Sequence, residues 1–245
     1  MGQNGTCSRF RRVLVLLVWF FCFSSQGQLS SDDIAHQYRF SFYPYYPIQG
    51  DLNGFNEFTY STNPDLYSGR YYFGFPQLDL KINQWARLNG GLRSIYTANK
   101  EMTDTLELRP WFGVTLSIPN PWKWHIYDYT RFEYRDELNL DEGTWLDSFH
   151  LRSRFAVEFP FTERERAWKS KTWYGLADVE PQYGFDKRKI DPIRVRGGIG
   201  YVFTDRLQLE IIYGAQFVNA DKDGWRHTGN GLRMNLRFAF ADGLL

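Results

Sequence analysis

Over Ser148–Phe161 the chain reads SFHLRSRFAVEFPF, bulky apolar side chains alternating with charged ones. Successive side chains of a strand point to opposite faces. Phe149, Leu151, Phe155, Val157 and Phe159 therefore share one face, and His150, Arg152, Arg154 and Glu158 the other. Glu107–Ile118 repeats the pattern, with Leu108, Phe112, Val114, Leu116 and Ile118 opposite Glu107, Arg109, Trp111 and Gly113. So do Ile193–Phe203, Leu207–Phe217 and Leu232–Ala241. Period-2 patterning on this scale specifies strands, and no sustained helical period follows Gln28.

Soluble sheets with one wet face also alternate. Three features point to a barrel in a membrane instead. The alternating runs reach about 11–13 residues, against roughly 5–6 for soluble strands and ~9–11 for a tilted membrane strand. The polar face carries Gly113, Gly198, Gly200 and Gly214 beside arginines, which suits a narrow interior where glycine makes room for a long side chain from across the lumen. Aromatic residues make up 19% of the chain and cluster at strand ends, as at Trp122, Trp124, Tyr127 and Tyr129, where membrane interfaces favour rings.

The chain opens with Arg9, Arg11 and Arg12, the apolar run Val13–Phe23 and the small residues around Gln26, the layout of a secretory signal peptide over residues 1–27. That run is too short to span a bilayer as a helix. Both cysteines, Cys7 and Cys22, fall inside residues 1–27, so the exported chain would hold no disulfide and no thiolate metal site. The 29 basic residues less the three signal arginines leave 26 against 28 acidic ones, which argues against a nucleic-acid partner.

The organisation expected is a lead-in over 28–52 on the periplasmic side, then a barrel over 53–245. The fold class is all-β: a transmembrane up-and-down antiparallel barrel of about ten strands, with twelve possible. The strands fall near 53–61, 70–82, 86–97, 105–118, 123–135, 148–160, 171–180, 192–203, 206–218 and 231–241. His36–Tyr46 could be a further strand, but Pro44 and Pro47 favour a lead-in. Short turns, such as 204–205, are expected to alternate with long loops at 98–104, 136–144, 183–191 and 219–229. Thr162–Ser170 is long for the short-turn side.

Apolar faces would then meet lipid and charged faces the lumen. The expected lumen network comprises Arg109, Arg131, Glu133, Arg135, Arg152, Arg154, Glu158, Asp178, Arg194, Arg196, Glu210, Arg233 and Arg237, with Arg93, Glu107 and Glu180 as companions. Buried charges must be paired or cost several kcal/mol each, so this set reads as a plugged, ion-paired interior. The alternative is an anion path. Alternation would aim Asp128 at lipid unless a bulge or an interfacial position intervenes.

Several stretches are similar to a known family. ELRPWFGVTLSIP, HIYDYTRFEYRDEL, SFHLRSRFAVEFPF, RVRGGIGYVFTDRLQLEIIYGAQF and GLRMNLRFAFA, in that order, resemble the domain of unknown function 2490 family. The motif residues are Arg131, Glu133 and Arg135; Leu151, Arg152 and Arg154; and Arg194, Gly198, Gly200 and Tyr201. The resemblance covers about residues 105–241. It implies an outer-membrane barrel of Gram-negative bacteria and no particular activity. Such barrels usually end on an aromatic residue read by the insertion machinery, whereas here Phe240 is followed by ADGLL.

No catalytic constellation is legible. His150 lies near Ser148 and Ser153, but Ser153, an odd number of residues away, would diverge from it. No His/Cys/Asp cluster has metal-ligand spacing, and GGIG lies within a strand, so no cofactor is expected. The expectation is a non-enzymatic, monomeric barrel, structural or ligand-binding, whose partners are outer-membrane lipid and the barrel-insertion machinery. A small-solute channel and a lipid hydrolase at the rim are the alternatives.

Overall fold

The computed structural model describes residues 34–63, 68–99, 103–161, 169–219 and 224–241. The signal segment 1–27 and the start of the lead-in lie outside the described residues. Eleven strands close into one barrel. They are β1 (Ala35–Gln49), β2 (Leu52–Asn63), β3 (Ser68–Lys81), β4 (Ala86–Asn99), β5 (Thr105–Ile118), β6 (His125–Asn139), β7 (Thr144–Pro160), β8 (Thr172–Gly184), β9 (Lys189–Thr204), β10 (Leu207–Asn219) and β11 (Trp225–Ala239). Each expected strand is present as β2 to β11, and none of the described residues is helical.

The count differs from ten because the segment read as a lead-in is β1. It pairs antiparallel with β2 and parallel with β11, with Arg39 opposite Arg233 and Tyr45 opposite Ala239. The barrel is therefore a meander closed by one parallel seam. The prolines that argued against β1 sit where its ladder to β2 is interrupted. No pair forms between Phe42–Phe58 and Tyr45–Phe55, where Pro44 lies, and the register shifts just after Pro47. Pro76 and Pro181 likewise fall at register shifts. A proline lacks the N–H that a ladder consumes, so breaks in pairing are where a strand can hold one.

The expected contrast of short turns and long loops is not observed. At one rim the connections are 50–51, 82–85, 119–124, 161–171 and 205–206; at the other they are 64–67, 100–104, 140–143, 185–188 and 220–224. About half of the residues in the segments read as long loops are strand. β6 and β7, for example, stay paired to Asn139 and Thr144. Backbone ladders continue as long as N–H and C=O groups find partners, whereas hydrophobic alternation stops where the apolar surroundings stop.

At the second rim, Asp104 ties the start of β5 to the end of β4. The Tyr96 hydroxyl donates to its carboxylate at 2.5 Å, and the Asn99 N–H at 2.9 Å. These bonds favour the ionised form and hold the Asp104 carboxyl below its usual range, the Tyr96 bond contributing most. A carboxylate whose folded pKa is depressed stabilises the fold above its unfolded pKa, and that contribution disappears as pH falls through the folded value. Asp104→Asn is expected to lower the urea midpoint at about pH 7, and the difference from the parent is expected to shrink as pH falls through the folded value of Asp104.

Candidate functional site

Polarity is inverted relative to a water-soluble globule. Glu57, Glu107, Glu133, Glu158, Glu180 and Glu210 are buried, as are Arg93, Arg109 and Arg196. The exposed side chains include Phe40, Phe73, Leu88, Leu116, Phe155, Ile199, Ile211 and Met234, and Phe112 is 65% exposed. Rings gather on the outer face towards both rims. Trp122, Trp124, Phe159 and Phe161 form one contact series and Trp173, Tyr201 and Phe203 another. Towards the opposite rim, Tyr60 meets Tyr71 at a tilt and Tyr71 stacks on Tyr96, and Tyr134 lies against Phe149.

Inside, strand register sets the ion pairs. Glu133 on β6 is 0% exposed and receives Arg131 at 2.5 Å, Arg135 at 2.7 Å, Arg152 at 3.3 Å and Arg109 at 3.5 Å. Arg109 also reaches Glu107 at 2.6 Å. Arg152 bridges onward to Glu180, which meets Arg194 and Arg196, each at 3.2 Å. Arg196 meets Asp178 at 2.7 Å. One continuous chain of alternating charge thus crosses β5 to β9. It contains Arg109, Arg131, Glu133, Arg135, Arg152, Asp178, Arg194 and Arg196 of the expected network. The planar guanidinium, with five donors, suits such bridging.

The rest of that set is distributed elsewhere. Glu210 meets Arg237 at 3.2 Å and accepts from the Tyr174 hydroxyl and the Asn235 amide, each at 2.9 Å. Glu158 faces His125 at 3.6 Å. Arg154 lies over the rings of Tyr127 and Tyr129, at 5.7 and 5.5 Å from their centroids. Arg233 stands opposite Arg39 across the parallel seam rather than within a pair of opposite sign. A further cluster, Glu57 with Arg39 at 2.9 Å and Arg93 at 2.6 Å, was not anticipated from the sequence. Phe58 and Tyr60 on the outer face would have placed Glu57 inward by alternation, but Arg39 depended on recognising β1.

Two local expectations change. The lumen glycines make room for adjacent strands rather than for side chains from across the barrel. A Cβ on Gly214 would stand 2.6 Å from Cγ of Arg196, its partner on β9, and one on Gly200 would run into the ring of Tyr174, its partner on β8. Asp128 does face outward, and no bulge rescues it, because β6 and β7 pair without interruption. Instead Thr130 donates to one of its oxygens at 2.8 Å and Ser153 to the other at 2.7 Å.

The interior is packed from the 205–206 rim inward: the side chains of Tyr174, Gln208 and Glu210, near that rim, and of Glu133, farther along its strand, are fully buried. Beyond them, at the rim carrying 140–143 and 185–188, a cavity of about 420 Å3 is lined by β6 to β10. On its wall Ser148, His150 and Gln182 form a chain: His150 Nε2 is 3.0 Å from Ser148 Oγ, and His150 Nδ1 is 3.1 Å from the Gln182 amide nitrogen. Direction along this chain follows from Arg135. A guanidinium only donates, and it takes Gln182 Oε1 at 3.2 Å. Gln182 therefore donates to His150 Nδ1, His150 carries its proton on Nε2, and Nε2 donates to Ser148. An imidazole in that state cannot accept the serine proton, as nucleophilic catalysis requires.

Among the described residues, no group of three or more His, Cys, Asp or Glu is arranged to hold a metal ion. No described helix is long and apolar enough to cross a membrane, which says nothing of strands. A family model described as a protein of unknown function, DUF2490, matches residues 31–228. No curated protein and no solved structure matches the chain.

Proposed function

Since the chain belongs to the DUF2490 family, which is defined without an activity, we propose from its physical chemistry that it is an outer-membrane β-barrel, exported by its N-terminal signal peptide, with a lumen closed by paired charges and no enzymatic role. The inverted polarity carries this reading. A barrel that buries Glu133 and Glu180 while presenting Phe112, Phe155 and Leu232 has surfaces suited to lipid outside and to an ionic core within. Phe149 and Phe159 belong to ring clusters towards opposite rims, ten residues apart on β7. At ~3.4 Å per residue and a tilt of ~40°, they stand roughly 25 Å apart along the barrel axis, the height of a membrane barrel's apolar band.

The buried, mutually paired lumen charges support a structural or ligand-binding barrel over a solute channel, and the proton direction at Ser148 and His150 supports a non-enzymatic role. Two measurements on the outer-membrane fraction test this. An unboiled sample is expected to run ahead of a boiled one on a denaturing gel, and planar bilayers are expected to show no steady conductance. Recovery in the soluble periplasmic fraction as a single band would remove the membrane assignment. A steady current lost on substitution of Arg154 or Arg233 would replace the closed lumen with an anion path.

A further inference from the structure

The cavity at the rim has the composition of a binding site for one kind of ligand. Its floor belongs to the ionic chain: Arg135 is held by Glu133 at 2.7 Å, and Arg194 by Glu180 at 3.2 Å and by Gln216 Oε1 at 3.0 Å. Charged groups whose orientation is fixed before a ligand arrives do not have to be ordered on binding. Lys187 and Lys189 add positive charge at the mouth.

Around these cations stand neutral groups with unused capacity. Ser148 Oγ accepts from His150, so its own proton is available to the cavity. Gln216 accepts from Arg194 through Oε1, so its amide hydrogens are available as well. Asp191 also lines the cavity and adds a carboxylate acceptor to its wall. The lining holds no Phe, Tyr or Trp and only one aliphatic branched side chain, Val218. An apolar or aromatic ligand would find little to contact. The volume is within the ~300–1,000 Å3 usual for small-molecule sites.

We propose that this cavity binds a small polyhydroxylated carboxylate, of the sugar-acid type. The carboxylate lies towards Arg135, Arg194 and Lys187, and the hydroxyls exchange hydrogen bonds with Ser148, Gln216 and Asp191. The site goes beyond the membrane assignment and does not depend on it, since the same cup stands on the same ionic floor whatever surrounds the barrel.

The test is calorimetric titration of the full exported chain, folded in detergent, with galacturonate, galactose, acetate and glutamate. Galacturonate is expected to bind saturably, with galactose, acetate and glutamate each at least about tenfold weaker, since either half of the recognition alone forfeits about 1.4 kcal/mol or more. Lys187→Ala and Ser148→Ala lie at the mouth and wall, and Glu133 is untouched in both. Each is expected to keep the heat-shifted band, or the parental circular dichroism if the barrel is not a membrane protein, and to weaken galacturonate about three- to tenfold. No saturable binding at about 10 mM galacturonate overturns the proposal. So does acetate or glutamate binding as tightly as galacturonate, or unchanged affinity in both variants. Failure of the membrane assignment would show in the fractionation and the gel, not in this titration.

Discussion

Replacing Glu133 with alanine is expected to destabilise the barrel by about 3–5 kcal/mol, the usual penalty for removing one partner of a buried charge cluster. Four guanidinium groups lie within 3.5 Å of its carboxylate, and Arg109 and Arg152 connect it to Glu107 and Glu180. Without it, Arg131 and Arg135 lose their closest carboxylate while remaining mostly buried. Glu133→Gln keeps the shape and one acceptor oxygen but not the charge, and is expected to recover less than half of the loss. Urea unfolding of the refolded barrel, followed by tryptophan fluorescence, reads both variants. Glu137→Ala, at the rim end of β6, is the comparison and should stay within about 0.5 kcal/mol. A midpoint for Glu133→Ala equal to that of Glu137→Ala would mean that solvent screens the interior and that the lumen is wet.

Phe112→Arg distinguishes the two possible surroundings of the outer face. Phe112 lies midway along β5, 65% exposed, with the ring of Phe132 at 5.5 Å. In a bilayer, an arginine on the lipid face of a barrel costs about 2–4 kcal/mol near the midplane and ~0–1 kcal/mol near the interfaces. In water, an exposed substitution changes stability by about 0.5 kcal/mol or less. Folding free energies in phospholipid vesicles should therefore fall by about 2–4 kcal/mol for Phe112→Arg and by less than about 1 kcal/mol for Trp122→Arg, outside the spanning strands. Equal, small losses at both positions would contradict a lipid-facing belt.

Alternation made the ten strands β2 to β11 legible, because the inward and outward environments of a barrel differ so sharply that every misplaced side chain would be costly. The eleventh strand was obscured by Pro44 and Pro47. Proline removes a ladder donor, and only the register shows that both fall beside gaps in pairing. The inward direction of the expected charged residues was also legible, but their partners were not. Partner choice depends on register between strands distant in sequence: Arg152 reaches both Glu133 and Glu180 because β7 lies between β6 and β8 in one alignment out of several. The same limit hid Ser148, His150 and Gln182 as a set, since Gln182 stands 32 residues from His150 in sequence and meets it only through the β7–β8 pairing. Asp128 was legible as an anomaly, though not the two hydroxyls that answer it.

The parallel seam between β1 and β11 has a geographic consequence. A chain that traverses a wall an odd number of times begins and finishes on different sides of it. Gln37, near the start of β1, and Phe240, just past the end of β11, therefore mark opposite rims. If the wall is a bilayer, a probe that cannot cross it would reach a label at one of these positions and miss the other, so two single-cysteine labels would orient the whole molecule. In that case the two termini of the barrel would address separate compartments, and whatever is attached to one would be partitioned from whatever is attached to the other.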